Sequence, residues 1–179
     1  MSKLAVGQLE GLASEGYRIT VASGSAFAPV GSILQVVSTT KTDTSSTSSS
    51  TFSDVTGLSV SITPSYSNSK ILVIFTCHVA TSASTTASIK LLRGSTDIFI
   101  GDAAGSRVRA SQTLYDSFGS TLSGCHLDSP ASTSALTYKI QFRAGDSAVA
   151  TYINRSSTDS DSGLYTRTAS SITVLEVAG

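Results

Sequence analysis

Tryptophan is absent from this 179-residue chain, and methionine (1), cysteine (2) and proline (3) are nearly so. Two cysteines exclude the disulfide framework that staples small secreted domains and leave room for one bridge at most, Cys77 to Cys125. Charge is scarce too: 12 basic and 12 acidic side chains cancel, and charged residues make up only 13% of the chain. Phosphate backbones are held by clustered Lys and Arg, so a nucleic-acid partner is not expected. No apolar run is long enough to cross a bilayer, and residues 1–10 lack the apolar stretch of a secretion signal. The expectation is synthesis in a reducing compartment with no membrane insertion. Glu and Lys are rare, which removes the residues from which exposed helices are usually built.

What is abundant is Ser and Thr, roughly a third of all residues, far above ordinary usage. They are interleaved with apolar side chains at a period of two. Residues 57–64, GLSVSITP, place Leu58, Val60 and Ile62 on one side and Ser59, Ser61 and Thr63 on the other, as a half-buried strand requires. Residues 71–75, ILVIF, drop the alternation and read as a strand covered on both faces, the second of them by another sheet or by a neighbouring copy of the chain. Strands are likewise expected at 31–37 and 171–177. Residues 87–93 and 97–100 read as a hairpin across Gly94, and 136–142 and 148–153 as a second hairpin across 145–147. The stretch 107–127 offers only weak strands around Val108 and Leu122. Eight to ten short strands with polar turns predict one all-β domain over 31–179, a jelly-roll-like β-sandwich.

Residues 1–30 differ from the rest. Leu4, Val6, Leu9 and Leu12 are isolated between glycines, and only residues 17–21, YRITV, alternate like a strand. This segment reads as an extended N-terminal docking arm that needs another surface to order it. Residues 38–51, nearly free of apolar side chains, are expected to form an exposed loop.

No constellation of catalytic type stands out, and neither a catalytic residue nor a cofactor is assigned. The doublets Cys77-His78 and Cys125-His126 contain zinc-ligand types, yet neighbours on a strand point to opposite faces, so no metal is expected there. Asp159 and Asp161, in DSDSG, resemble the opening half of a calcium loop that lacks its closing glutamate: position 170 is Ser170. A solvated turn is the simpler reading. Arg107 and Arg109 share a face if that segment is a strand. Tyr115, Tyr138, Tyr152 and Tyr165 are candidates for core, interface or glycan-stacking positions. Asn154-Arg-Ser156 fits a glycosylation sequon, without a secretion signal to give it meaning.

The order of residues 31–37 (GSILQVV), 51–64 (TFSDVTGLSVSITP), 69–73 (SKILV), 92–95 (LRGS) and 152–154 (YIN), preceded by Lys3-Leu-Ala-Val6 and by 19–24 (ITVASG), resembles tail-fibre-like and other virion proteins of tailed bacteriophages, of the type found in marine and cyanobacterial phages. The resemblance implies a non-enzymatic virion component, a β-rich head domain assembling as a trimer, docked to other virion proteins through residues 1–30. Host-surface glycans are the partner it implies at the distal end. A long fibre shaft is missing. A capsid decoration (cement) protein therefore stands as an alternative, and a soluble carbohydrate-binding module as a second.

Overall fold

The computed structural model describes residues 29–83 and 85–179, and among these there is no helix. The expected strand at 17–21 lies outside the described residues, as does the arm up to residue 28. Eleven strands follow: β1 (Ile33–Lys41), β2 (Ser45–Thr47), β3 (Ser53–Ile62), β4 (Lys70–Thr81), β5 (Ala87–Arg93), β6 (Thr96–Phe99), β7 (Gln112–Leu114), β8 (Ser120–Asp128), β9 (Leu136–Ala144), β10 (Thr151–Ile153) and β11 (Ser170–Val177). All pairings are antiparallel, in two sheets.

The first sheet is built on β4, the longest strand. One edge of β4 pairs with β8 over Ile71 to Val79. Its other edge pairs first with β11, over Lys70 to Thr76, and then with β10, over Val79 to Thr81. Strand β1 lies outside β11 and β2 outside β10. In the second sheet β9 sits between β3 and β5, and the far edge of β5 is shared by β7 and β6. Each sheet thus has four strand positions. The pairs β1·β11, β3·β9, β4·β8 and β5·β6 are nested one inside the next, so the described chain behaves as one long antiparallel ribbon rolled into two layers. That arrangement is a jelly roll.

The core is the pair of inner faces. Leu58, Val60 and Ile62 are buried, as their alternation predicts, against Ile71, Val73, Phe75 and Val79 of β4 and Ile89, Leu91, Tyr138, Ile140 and Phe142 of the second sheet. Gly124 faces Phe75 so closely that a Cβ there would overlap its ring, which is why a residue without a side chain sits mid-strand in β8. Three polar side chains are tied into this interior. Arg93 Nη1 donates to both oxygens of Asp128 (2.7 and 2.6 Å), and Tyr138 Oη–H donates to Asp128 Oδ2 (2.7 Å), linking β8 to the opposite sheet. Burial, followed by the Asp128 carboxylate, pushes the Tyr138 hydroxyl well above its ordinary pKa.

Several expectations are corrected. Residues 38–51 are not simply a loop: β1 runs on to Lys41 and β2 occupies Ser45–Thr47, because a strand at the margin of a sheet needs partners for its backbone more than apolar side chains. Residues 136–144 and 151–153 do not form a hairpin; β9 and β10 belong to different sheets, and the turn between them is a crossover. In the stretch 107–127, β8 contains Leu122 at full strand length, whereas Val108 is outside any strand. The run 71–75 is covered on its inner side by the second sheet, but Leu72 is only half-buried and Ile74 is 42% exposed on the other.

Candidate functional site

The two ends of the sandwich are built differently. At the base, Lys70 pairs with Val177, the backbone N–H groups of Gly31 and Ala178 bond Ala178 O (2.7 Å) and Ser32 O (2.9 Å) respectively, and the chain leaves toward residue 28. The base loop is fastened by Glu176, a fully buried carboxylate that accepts from Gln35 Nε2 (2.6 Å), Ser65 N (2.6 Å) and Ser65 Oγ (3.1 Å). Burial alone would raise its pKa; the donors outweigh burial and hold it below the ordinary glutamate value.

At the opposite end β4 finishes at Thr81, whose N–H bonds Asp116 O (2.9 Å). Here three connections meet: the loop after β4, the β7–β8 loop and the long β10–β11 loop. They enclose an open cleft of about 390 Å³ lined by Ser82, Ala83, Tyr115, Asp116, Ser117 and Ser157. Ser157 N donates to Ser117 O (3.1 Å), so two of the walls are bonded to each other. The Asp116 carboxylate is held below the ordinary aspartate pKa by the N–H of Phe118 (2.9 Å) and then by Ser120 Oγ (2.9 Å), and is charged at neutral pH. Tyr115 is 64% exposed in the cleft wall, and Phe118, the residue after Ser117, is 70% exposed. A second polar cleft of about 330 Å³ lies within that loop, between Asp159 and Arg167.

The frame beneath is Asn154, fully buried and in the left-handed region (φ 62°), a conformation Asn tolerates better than most residues. Its Nδ2 donates to Lys41 O and Asp43 O (both 2.9 Å), and its Oδ1 accepts from Ser170 Oγ (2.6 Å). One side chain therefore joins the turn between β1 and β2 to the start of β11. Its burial leaves no room for a glycan, so the sequon has no role as one. Nothing in the sequence flagged Asn154 as a keystone.

The other sequence candidates separate. Cys77 is buried and Cys125 exposed, on opposite faces of the first sheet, and both are free thiols. Burial pushes the Cys77 thiol up to about 12, which removes it as a nucleophile. His78 is buried with Nδ1 unbonded, and burial holds its pKa below the ordinary value, so it is neutral at pH 7. His126 packs instead against Phe99, ring centroids 5.5 Å apart. No cluster of three metal-ligand side chains occurs among the described residues. Asp159 is engaged by cations, Arg167 (2.6 Å) and Arg155 (3.5 Å), where calcium would need further oxygens. Arg107 and Arg109 are exposed on a loop and do not share a strand face; Arg109 Nε donates to Gly101 O (2.7 Å). Of the tyrosines, Tyr138 is core, Tyr152 stacks under Arg155 (3.8 Å to the ring centroid), and Tyr115 alone lines the cleft at the β4 end. No family model matches the chain, and the search of curated proteins finds no relative.

Proposed function

We propose that this chain is a non-enzymatic structural component of a bacteriophage virion, a tail-fibre or tip-like protein that assembles with copies of itself, as a trimer, and meets the host surface. The observation that carries the reading is the placement of two dissimilar ends. The connection to residues 1–28 leaves from one end of β4, and the cleft bearing Tyr115 and Asp116 opens at the other, twelve residues and about 40 Å away. A domain held by its base and presenting loops at its far end suits an appendage. The exposed aromatic rim beside a carboxylate and serine hydroxyls suits an uncharged polyol surface such as a glycan, which rings bind by stacking and hydroxyls by hydrogen bonding.

Antibody labelling of intact particles tests the assignment. Label at the distal tail is expected. Label spread over the head would favour the capsid decoration alternative instead, and particles without the chain would end the virion reading. Light scattering of the full chain should give three times the monomer mass; a monomer that binds a single sugar tightly would favour a carbohydrate-binding module.

A further inference from the structure

The outer face of the first sheet is uncharged across four strands. The register aligns Val36, Leu175, Leu72 and Leu127 in one row across β1, β11, β4 and β8; Ser38, Thr173, Ile74 and Cys125 in the next; and Thr40, Ser171, Thr76 and Ser123 in a third. Val36 is 56% exposed and Leu127 47%, with Leu72 and Leu175 half-buried between them. Among the described residues β1 and β8 are the two edges of this part of the sheet. The Ser123 carbonyl points away from β4, where it accepts from Gln112 Nε2 (3.2 Å), so by alternation Thr121, Cys125 and Leu127 also turn backbone groups to that edge. At the other edge the Ile172 carbonyl points at β1, within reach of Ser38 Oγ (3.5 Å). Its register partner Thr39 therefore faces β11, and Val36, Ser38 and Thr40 turn their backbone groups outward.

We infer that three copies of the chain meet through this surface, the β8 edge of each running antiparallel to the β1 edge of the next, with the uncharged rows turned toward a three-fold axis along the strands. This rests on the self-assembly proposed above and names its surface. Direction is the first feature that selects a copy of the same chain. Three antiparallel pairings separate β1 from β8, so the two run oppositely, and rotation about an axis along the strands brings β8 of one copy against β1 of another antiparallel. The outward backbone groups of both edges also belong to residues whose side chains share the outer face, as an antiparallel bonded pair requires. With an odd number of strands the edges would meet parallel. Width selects the number three. Four strands at about 4.8 Å make a sheet about 19 Å wide, and three such sheets joined at their edges as a triangle stand about 5.5 Å from the axis, close to half of the roughly 10 Å between packed sheets. Side chains then fill the centre. Two copies could only stack face to face with their edges open, and four would stand about 10 Å from the axis and leave a bore. Charge selects the face. The second sheet would carry Asp54, Lys139, Lys90 and Asp97 into such a centre, whereas these rows carry none, and their hydroxyls enter already paired, Ser38 with Thr173 (2.7 Å) and Thr76 with Ser171 (3.1 Å).

Disulfide trapping tests the arrangement, because Cys125 is exposed on β8 while Cys77 is buried in the core. Three variants of the full chain each add one cysteine at an exposed position of β1: Val36→Cys, Ser38→Cys and Thr40→Cys. Oxidised with copper phenanthroline, at least one of them should run on non-reducing denaturing gels as covalent dimer and trimer and nothing larger. Adding Cys125→Ser should cut that product at least tenfold, and Ser59→Cys, exposed on the second sheet, should give as little. Ser38→Lys, which would set three ammonium groups around the axis, should lower the mass in light scattering threefold with unchanged circular dichroism. A trimeric mass with no β1–β8 disulfide from any of the three variants would overturn the inference and leave the trimer standing. So would a disulfide dimer of the parent chain through Cys125 alone, which would put two β8 edges together, or a Ser38→Lys variant that stays trimeric. A monomeric parent chain would remove the trimer and this interface with it, so the two readings fail distinguishably.

Discussion

The outer faces of the two sheets share a fold and a Ser/Thr-rich composition but treat apolar side chains in opposite ways. On the second sheet Asp54 pairs with Lys139 (2.8 Å) and accepts from Gln141 Nε2 (2.7 Å), and Lys90 pairs with Asp97 (3.0 Å). Leu92 also points outward there, between Lys139 and Asp97, yet only 4% of it is exposed. The stems of the long charged residues cover it, as such side chains do while keeping their heads in water. The first sheet has no charged residue in its three rows, and its cross-strand links are hydroxyl pairs, Ser38 with Thr173 (2.7 Å) and Thr76 with Ser171 (3.1 Å). Short hydroxyls cannot shield Leu72 or Ile74. The lesson is that the exposure of an apolar residue on a sheet's outer face is set by its neighbours: long charged stems shield it, and short hydroxyls leave it accessible among the described residues.

The sharpest way to break this comparison uses two residues adjacent in β4. Phe75→Ala on the inner face should cost about 3–5 kcal/mol by opening a cavity beside Gly124; Ile74→Ser on the outer face should cost under about 1 kcal/mol. Equal losses in chemical denaturation would erase the distinction between the faces. Next in size, Arg93→Ala strands the buried Asp128 carboxylate and should cost about 3 kcal/mol, against about 0.2–1 kcal/mol for Lys139→Ala in the exposed pair on the outer face. A Lys139 loss as large as that of Arg93 would mean that the charged face is structural. The smallest effect is a pH dependence. Because Glu176 titrates lower when folded than when unfolded, its contribution is present above the ordinary glutamate pKa and is lost as pH falls through the folded value. Stability should therefore decline with acidification below about pH 4.5, the ordinary range for glutamate, and Glu176→Gln should flatten part of that decline.

Legibility followed the density of the apolar signal. Leu58, Val60 and Ile62, and the strand at 171–177, alternate cleanly and were readable as strands with a known inner face. Residues 38–47 were not, because their place in β1 and β2 comes from pairing with β11 and β10, and backbone pairing leaves no mark on side-chain hydrophobicity. Strand β8 was blurred for another reason. Its inner face holds Leu122, Gly124, His126 and Asp128, chosen for Phe75, Phe99 and Arg93 around them and not for hydrophobicity. The cleft was legible only as a pool of tyrosines. That Tyr115 and Ser157 share it depends on loops 40 residues apart meeting at one end of β4.

By itself the sequence determined that this protein is a β-sandwich with a polar, weakly charged surface, because period-two patterning and turn residues are local properties that any short window records. Only the tertiary structure decided which strands share a sheet, that β9 and β10 part company, and that Cys77 and Cys125 face opposite ways. It also decided that, among the described residues, one outer face is laced by ion pairs while the other exposes Val36, Ile74 and Leu127. Those facts depend on contacts between residues far apart in the chain, and the energy of such contacts is a property of the pair, which neither residue carries alone.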